Sequence, residues 1–323
     1  MSEFKSKFGY YMEQFLKERE SHGYSNSASA FKRRLKTLDH LCHTQYPNEI
    51  HLNQEIVLSW LRKNPNEGIG GQKSRASNIR TFAKYLCSQH EPAYILPTKF
   101  IGGQSSFTPY ILSDDELSRL FKVIDQRMPN NKKYPYRHLI LPVYFRLTYT
   151  CGLRPGESRL VKKMDINFNT QEILITKAKH HKERIVVMSD DMANLCKIYE
   201  SKLKIFASTS EYFFPSRTGK AISDQWFDDQ FHKCWIAANP NMDTLPNVRI
   251  YDLRHRFATT RMHLWIDENQ DLTTKVAYLR AYMGHDSFDY TMHYIHLLPE
   301  NIVKSPNINW KSLSEAIPEV EPW

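Results

Sequence analysis

A chain of 323 residues with 41% hydrophobic content is longer than one core usually holds and apolar enough for packed cores, which points to two domains. The formal charge of +9 and pI near 9.1 favour a polyanionic partner, because a basic surface concentrates phosphate and releases counterions on binding. Five scattered cysteines, Cys42, Cys87, Cys151, Cys196 and Cys234, with no CxxC spacing, exclude a disulfide framework. The N-terminus alternates charge with apolar residues, which excludes a signal peptide or membrane anchor and leaves a cytoplasmic protein with reduced thiols.

In chain order, FGYYMEQFLKERE, NSASAFKRRLKTLDHLCH, LNQEIVLSWLRKN and KSRASNIRTFAKYLCSQH each space apolar residues by three and four, predicting a bundle of about four helices. Residues 1–100 carry 15 Lys and Arg against 9 Asp and Glu, so much of the basic excess sits in this smaller half. Two clusters stand out on its helices: Lys32, Arg33, Arg34 and Lys36, then Lys73, Arg75, Arg80 and Lys84. They suit phosphate contacts, and they equally suit ordinary solvated helix faces. A stretch rich in Gly, Ser and Pro over 103–110 reads as a linker, closing a first domain at 1–102.

A second domain, 111–298, opens with LSDDELSRLFKVI, where Ser113 can cap a helix and Asp114, Asp115 and Glu116 complement its positive end. Helical patterns recur at 138–150 and 190–206. Between them INFNTQEILITKAKHHKERIVVM alternates as strands do. The fold class expected is mainly α with a small antiparallel β-sheet, an N-terminal helical bundle followed by a larger C-terminal domain.

Three motifs carry chemistry. In GLRPGESRL, Arg154 stands three residues before Glu157, a spacing that suits a structural ion pair and also a phosphate site, since a guanidinium donates two parallel hydrogen bonds and keeps its charge. In IYDLRHRFATT, Asp252 can cap a helix whose Leu253 and Phe257 face the core, leaving Tyr251, Arg254 and His255 on another face. In YMGHDSFDYTMHYIH, Gly284 can end a helix in a left-handed turn, His285 follows, and Tyr294 comes nine residues later. His285, His293 and His296 admit a metal reading, which lacks an accompanying acidic or cysteine ligand set.

Together these motifs resemble the tyrosine recombinase family, also called the phage integrase family. The third follows the family's LGH and nucleophile spacing. The second departs from the family's HxxR, with Tyr251 where histidine is usual; with a phenol pKa of about 10, tyrosine is a poorer base at neutral pH. The resemblance implies a catalytic set of Arg154, Lys179, Tyr251, Arg254, His285 and Tyr294, with Lys177 competing with Lys179 as the general acid in TKAKHHKER and as a DNA backbone contact. It implies a clamp on double-stranded DNA by a core-binding and a catalytic domain, and cleavage through a 3′-phosphotyrosine without metal, ATP or other cofactor. It also implies rejoining through a Holliday junction by a homo-tetramer on two sites with inverted-repeat cores. In the family a tail such as 299–323 docks on a neighbouring subunit. A type IB topoisomerase or a silent DNA-binding regulator are the other classes open at this point.

Overall fold

The computed structural model describes residues 3–22, 25–65, 67–102, 109–127, 136–176, 183–207, 209–268 and 270–285, together with Thr291 and Tyr294. Packing divides the chain into two units, Met1–Phe107 and Thr108–Trp323. The expected tail and most of the expected linker lie outside the described residues.

Four helices build the first unit: α1 (Gly9–Ser21), α2 (Ser25–Gln45), α3 (Gln54–Trp60) and α4 (Ile69–Ser88). Their apolar stripes meet in one core, where Met12 and Phe15 of α1, Leu38 and Cys42 of α2, Ile56 and Val57 of α3, and Ile79 and Phe82 of α4 are buried. Helix α4 starts four residues before its pattern does, running through Gly70 and Gly71. Asn53 starts α3 by accepting the Ile56 N–H at 3.0 Å. The buried Asp39 ties down the N-terminal segment, accepting the N–H groups of Lys5 at 2.9 Å and Ser6 at 2.8 Å.

The basic clusters of this unit divide by use. Arg75 is clamped by the Glu67 carboxylate and donates to the carbonyls of Trp60 and, at 2.9 Å, Arg62. Arg80 donates to the carbonyls of Leu96 at 2.7 Å and Pro97 at 2.8 Å. Both lock the loops flanking α4. Arg34 reaches the Ser74 hydroxyl at 2.9 Å, while Lys32 and Lys36 pair with Glu3 at the surface. Arg33 is exposed and Lys73 half-buried.

In the second unit α5 (Asp114–Asp125) opens with the capping box its sequence predicts: Glu116 accepts the Ser113 N–H at 2.8 Å and the Ser113 hydroxyl accepts the Glu116 N–H at 3.3 Å. Then come α6 (Arg137–Thr150), α7 (Pro155–Leu160), the strands β1 (Ile166–Asn167), β2 (Glu172–Ile175) and β3 (Arg184–Val187), and the helices α8 (Asp190–Ala207), α9 (Asp224–Ala238), α10 (Ile250–Asp267) and α11 (Leu272–Met283). Helix α6 packs against α5, α8 and α10. The strands form an antiparallel sheet in the order β1-β2-β3, with Leu174 opposite Ile185. Ile173, Ile175 and Val186 are buried while Leu174, Ile185 and Val187 face out, the two-residue alternation of a sheet covered on one side. Helix α10 differs from its expectation: Asp252, Leu253, Arg254 and His255 are all buried, so its polar face turns inward as well.

Candidate active site

The first site arginine is delivered by a reversal that only glycine fits. Gly152, just past α6, has φ +59°, and a Cβ there would sit 2.3 Å from Cδ1 of Phe257 on α10. The chain turns, buries Leu153, and places Arg154 at the N-cap of α7 with Pro155 in the first turn. Glu157 accepts the Arg154 backbone N–H at 2.9 Å and its Nη1 at 2.7 Å. The same carboxylate grips Arg184 of β3, with Nη1 to Oε1 at 2.9 Å and Nη2 to Oε2 at 2.7 Å. Burial opposes ionisation of Glu157, yet Arg184 and Arg154 outweigh it and hold the carboxyl down at about 2.

The turn after α11 is fixed from two sides. Gly284 ends the helix with φ +64°, the His285 N–H returns to the Arg280 carbonyl at 3.0 Å, Arg154 Nη2 donates to the Gly284 carbonyl, and Arg184 Nε donates to the Tyr282 carbonyl at 2.7 Å. Arg184, absent from the sequence-derived set, thus joins β3, the GLR loop and this turn.

Helix α10 supplies the second arginine. Asp252 is not its N-cap, as expected, but its third residue, accepting the N–H of Arg249 at 2.8 Å; a carboxylate reaches back over the first turn as readily as it caps. Arg254 is wholly buried. Its Nη1 donates to the Gly152 carbonyl at 2.6 Å, and its Nη2 to the Met283 carbonyl at 2.7 Å and to His285 Nε2 at 2.9 Å. Its Nε meets no hydrogen-bond partner among the described residues. Since a guanidinium only donates, His285 accepts through Nε2, so the ring proton resides on Nδ1 and points to the Thr291 hydroxyl at 2.8 Å. Burial, then the charges of Arg254, Arg154 and Arg184, push the His285 pKa down to about 3, so the imidazole is neutral.

Tyr294 lies in the core between α10 and α11 with Phe257, Met262, Leu279 and Met283, only 2% exposed. Its ring touches His285 (centroids 5.9 Å apart) and His255 (5.3 Å), and its hydroxyl is hydrogen-bonded to Arg254. Burial pushes the phenol up to about 12, against the pull of Arg254. Tyr251 hydrogen-bonds Arg154 and lies 5.0 Å from His255. The structure therefore brings together Arg154, Tyr251, Arg254, His285 and Tyr294. Lys177, Lys179, His293 and His296 lie outside the described residues. Among the described residues no cluster of His, Cys, Asp and Glu could hold a metal, and no helix is long and apolar enough to cross a membrane.

Sequence reasoning passed over Gly152, Arg184 and the placing of His255. Only the glycine carried a local cue, in a GLR turn directly after a helix. A second feature, outside this cluster, is a groove of about 650 Å³ lined largely by apolar side chains of α10 and α11, among them Phe257, Leu264, Trp265, Tyr278 and Tyr282.

A family model described as "Phage integrase family" matches residues 111–301. A Sinorhizobium fredii protein named as an integrase/recombinase, y4rE, is 28% identical over 232 residues, covering 70% of this chain and 73% of the relative. Among solved structures, the XerH site-specific recombinase in a post-cleavage complex with a palindromic difH substrate superposes with a TM-score of 0.65 at 18% identity, over 93% of this chain and 84% of that one. A lambda integrase tetramer bound to a Holliday junction gives 0.60 at 14% identity, over 88% and 76%. At these identities the structural likeness speaks for the fold.

Proposed function

The chain belongs to the phage integrase family and is a site-specific tyrosine recombinase, and from that premise we propose that Tyr294 is the nucleophile in a site built by Arg154, Tyr251, Arg254 and His285. One observation carries the reading. Motifs separated by 102 and 29 residues converge on Arg254, whose guanidinium holds the Gly152 carbonyl of the first, the Met283 carbonyl of the third, and His285 beside Tyr294.

The Tyr294 oxygen attacks the scissile phosphorus in line, forming the Tyr294 Oη–P bond as the P–O5′ bond breaks, and leaves a 3′-phosphotyrosine and a 5′-hydroxyl. Arg154 and Arg254 exchange carbonyl partners for the non-bridging oxygens and stabilise the charge of the pentacoordinate transition state, a contribution of about 3 kcal/mol for a well-placed donor. His285, kept neutral, orients Arg254 and flanks the nucleophile. Tyr251 hydrogen-bonds the phosphate or Arg154. Lys179, with Lys177 as the competing choice, protonates the departing oxygen. A 5′-hydroxyl from a second duplex reverses the attack, and two rounds through a Holliday junction complete recombination without ATP.

The substrate in this reading is a pair of duplexes with inverted-repeat cores, clamped between a core-binding domain at 1–102 and a catalytic domain at 111–298. The solvent-facing Arg33 and Lys36, with Lys32, Arg34, Lys73 and Lys177, meet phosphates, whereas Arg75 and Arg80 brace the bundle. Four copies assemble when the tail from 299, through its amphipathic WKSLSEAI stretch, occupies the groove between α10 and α11 of a neighbour. The groove's aromatic lining supports that occupant. Truncation after about Ser305 is expected to abolish strand exchange; unchanged recombination by the truncated protein sinks this part.

The chemical test is covalent trapping. Wild type and Tyr294→Phe are incubated with nicked suicide duplexes cut from DNA flanking the chain's own gene. A metal-independent protein–DNA adduct from wild type alone is expected. A topoisomerase would relax DNA without joining strands of two duplexes, so a strand-exchange assay separates the two activities.

A further inference from the structure

The nucleophile needs a proton acceptor, and the residue the family pattern would use is here a tyrosine. Buried Tyr294 holds its proton up to about 12, so attack at neutral pH requires that proton to leave as the Oη–P bond forms. Two imidazoles touch its ring, His285 and His255. His285 is poorly suited to accept, because its Nε2 lone pair is engaged by Arg254, its Nδ1 proton points to Thr291, and three guanidiniums disfavour a second proton. His255 has the opposite setting. Its Nε2 lies 4.0 Å from Oδ1 of the fully buried Asp252, a carboxylate that accepts the Arg249 backbone N–H at 2.8 Å and pairs with the Arg249 guanidinium at 3.1 Å. Its ring packs on both Tyr251 and Tyr294, at 5.0 and 5.3 Å between centroids.

We propose that His255, rather than Tyr251, takes the phenol proton of Tyr294 during strand cleavage, with the Asp252 carboxylate as its countercharge. The Tyr294 Oη–P bond forms and the P–O5′ bond breaks as the phenol proton moves to the imidazole. The departing 5′ oxygen receives its own proton from the general acid. Rejoining returns the proton from His255 to Tyr294. The titratable and charged groups around His255 are Tyr251, Asp252 and Arg254 of α10, Arg249 just before it through its ion pair with Asp252, Tyr294, and His285 from the turn after α11. The assignment rests on the recombinase reading, since it assigns a step of that reaction.

The test uses the full chain and the suicide duplex, with single-turnover adduct formation measured from pH 5.5 to 9 for wild type, Tyr294→Phe, His255→Gln, His255→Phe, Tyr251→His and the double variant Tyr251→His/His255→Gln. DNA binding and circular dichroism report whether each variant is folded. Wild type is expected to lose rate on the acid side of the profile. His255→Gln and His255→Phe are each expected to cleave about 10²-fold slower at neutral pH with binding unchanged, and to lose that acid limb. His255→Phe keeps a ring against both tyrosines, so a packing role predicts near-normal cleavage by it and a proton-accepting role predicts the loss. Restoring the family's histidine in the double variant is expected to recover at least about tenfold. Near-wild-type cleavage by His255→Phe overturns the proposal, as does a slowing of His255→Gln that is uniform with pH and unrelieved by Tyr251→His. If wild type forms no adduct on a duplex it binds, the recombinase reading fails first and this step with it.

Discussion

Arg254 is sunk in a helical core and Arg75 is half-buried, and both grip backbone carbonyls, yet they differ in their countercharge. Arg75, in the first unit, has the Glu67 carboxylate across its guanidinium, one cation to one anion. Arg254, in the second, has two carbonyls and a neutral imidazole, while Arg154 and Arg184 share the single carboxylate of Glu157. Three guanidiniums to one carboxylate leave an excess of positive charge at low exposure. A buried charge with its counter-ion is a structural brace, and a buried excess is stable in the long run only against an external anion. On the reading proposed above, the difference separates arginines placed to meet phosphate from arginines that brace the fold, a distinction that composition does not make.

Removing each charge separates the two arginines. Arg254→Met is expected to slow adduct formation by at least about 10³-fold while unfolding at nearly the wild-type urea concentration, because it deletes a desolvated cation with no carboxylate partner. Arg75→Met is expected to do the reverse: cleavage at saturating DNA little changed, and stability of the first unit lowered by about 1–2 kcal/mol, since it removes the bonds from α4 to the half-buried Glu67 and to the carbonyls of Trp60 and Arg62. Equal loss of stability in the two variants contradicts the distinction.

Gly152→Ala tests the frame that holds Arg254. The added methyl meets the Phe257 ring in a left-handed conformation, so a cost of about 1–3 kcal/mol in unfolding free energy is expected. Cleavage should fall further than stability alone explains, because the Gly152 carbonyl that receives Arg254 must move. An Ala variant with normal cleavage would show that this carbonyl does not position the arginine.

Burial together with the excess positive charge also sets the pH response. His285 has a folded pKa near 3, below its unfolded value of about 6.5, so the unfolded state binds the extra proton between these values. Its contribution is fully present above about pH 6.5 and is lost as pH falls toward 3. Glu157, held at about 2, adds a loss that begins only below about pH 4.5. Urea unfolding followed from pH 7 to pH 4 should therefore show a decline in stability that His285→Asn flattens. The same slope in the variant would mean the neutral imidazole is not what acid attacks.

How much of this was legible in the sequence follows the range of the forces. Local chemistry reads well: the Ser113 capping box, the alternation of β2 and β3, and the left-handed end of α11 at Gly284 all stand in short stretches. Spacing to a known family pattern located Arg154, Arg254, His285 and Tyr294. What escaped is tertiary. Arg184 meets Tyr282 across 98 residues and Arg80 meets Leu96 around a loop, and nothing near either arginine says whether its partner is a carbonyl, a carboxylate or solvent. Helix α9 was passed over although Phe227, Phe231, Cys234 and Trp235 carry its periodicity; the aromatic run reads equally as a buried strand until its partners in α5 and α7 are known.

The smallest expected effects belong to the exposed members of the basic cluster on α2. Arg33 is open to solvent, whereas Lys36 already has a partner in Glu3 and shares it with Lys32. If phosphate contact depends on uncommitted charge, Arg33→Gln should reduce the slope of log affinity against log salt by about 0.9, the release of one phosphate's counterion. Lys36→Gln should reduce it by less, because Glu3 then neutralises Lys32 more completely and part of the lost charge had been offset already. Filter binding or fluorescence anisotropy over a salt series resolves slopes of this size. A larger effect from Lys36 than from Arg33 would mean that DNA displaces Glu3 from both lysines, and the division of basic residues into braces and contacts would then have to be drawn on the bound form.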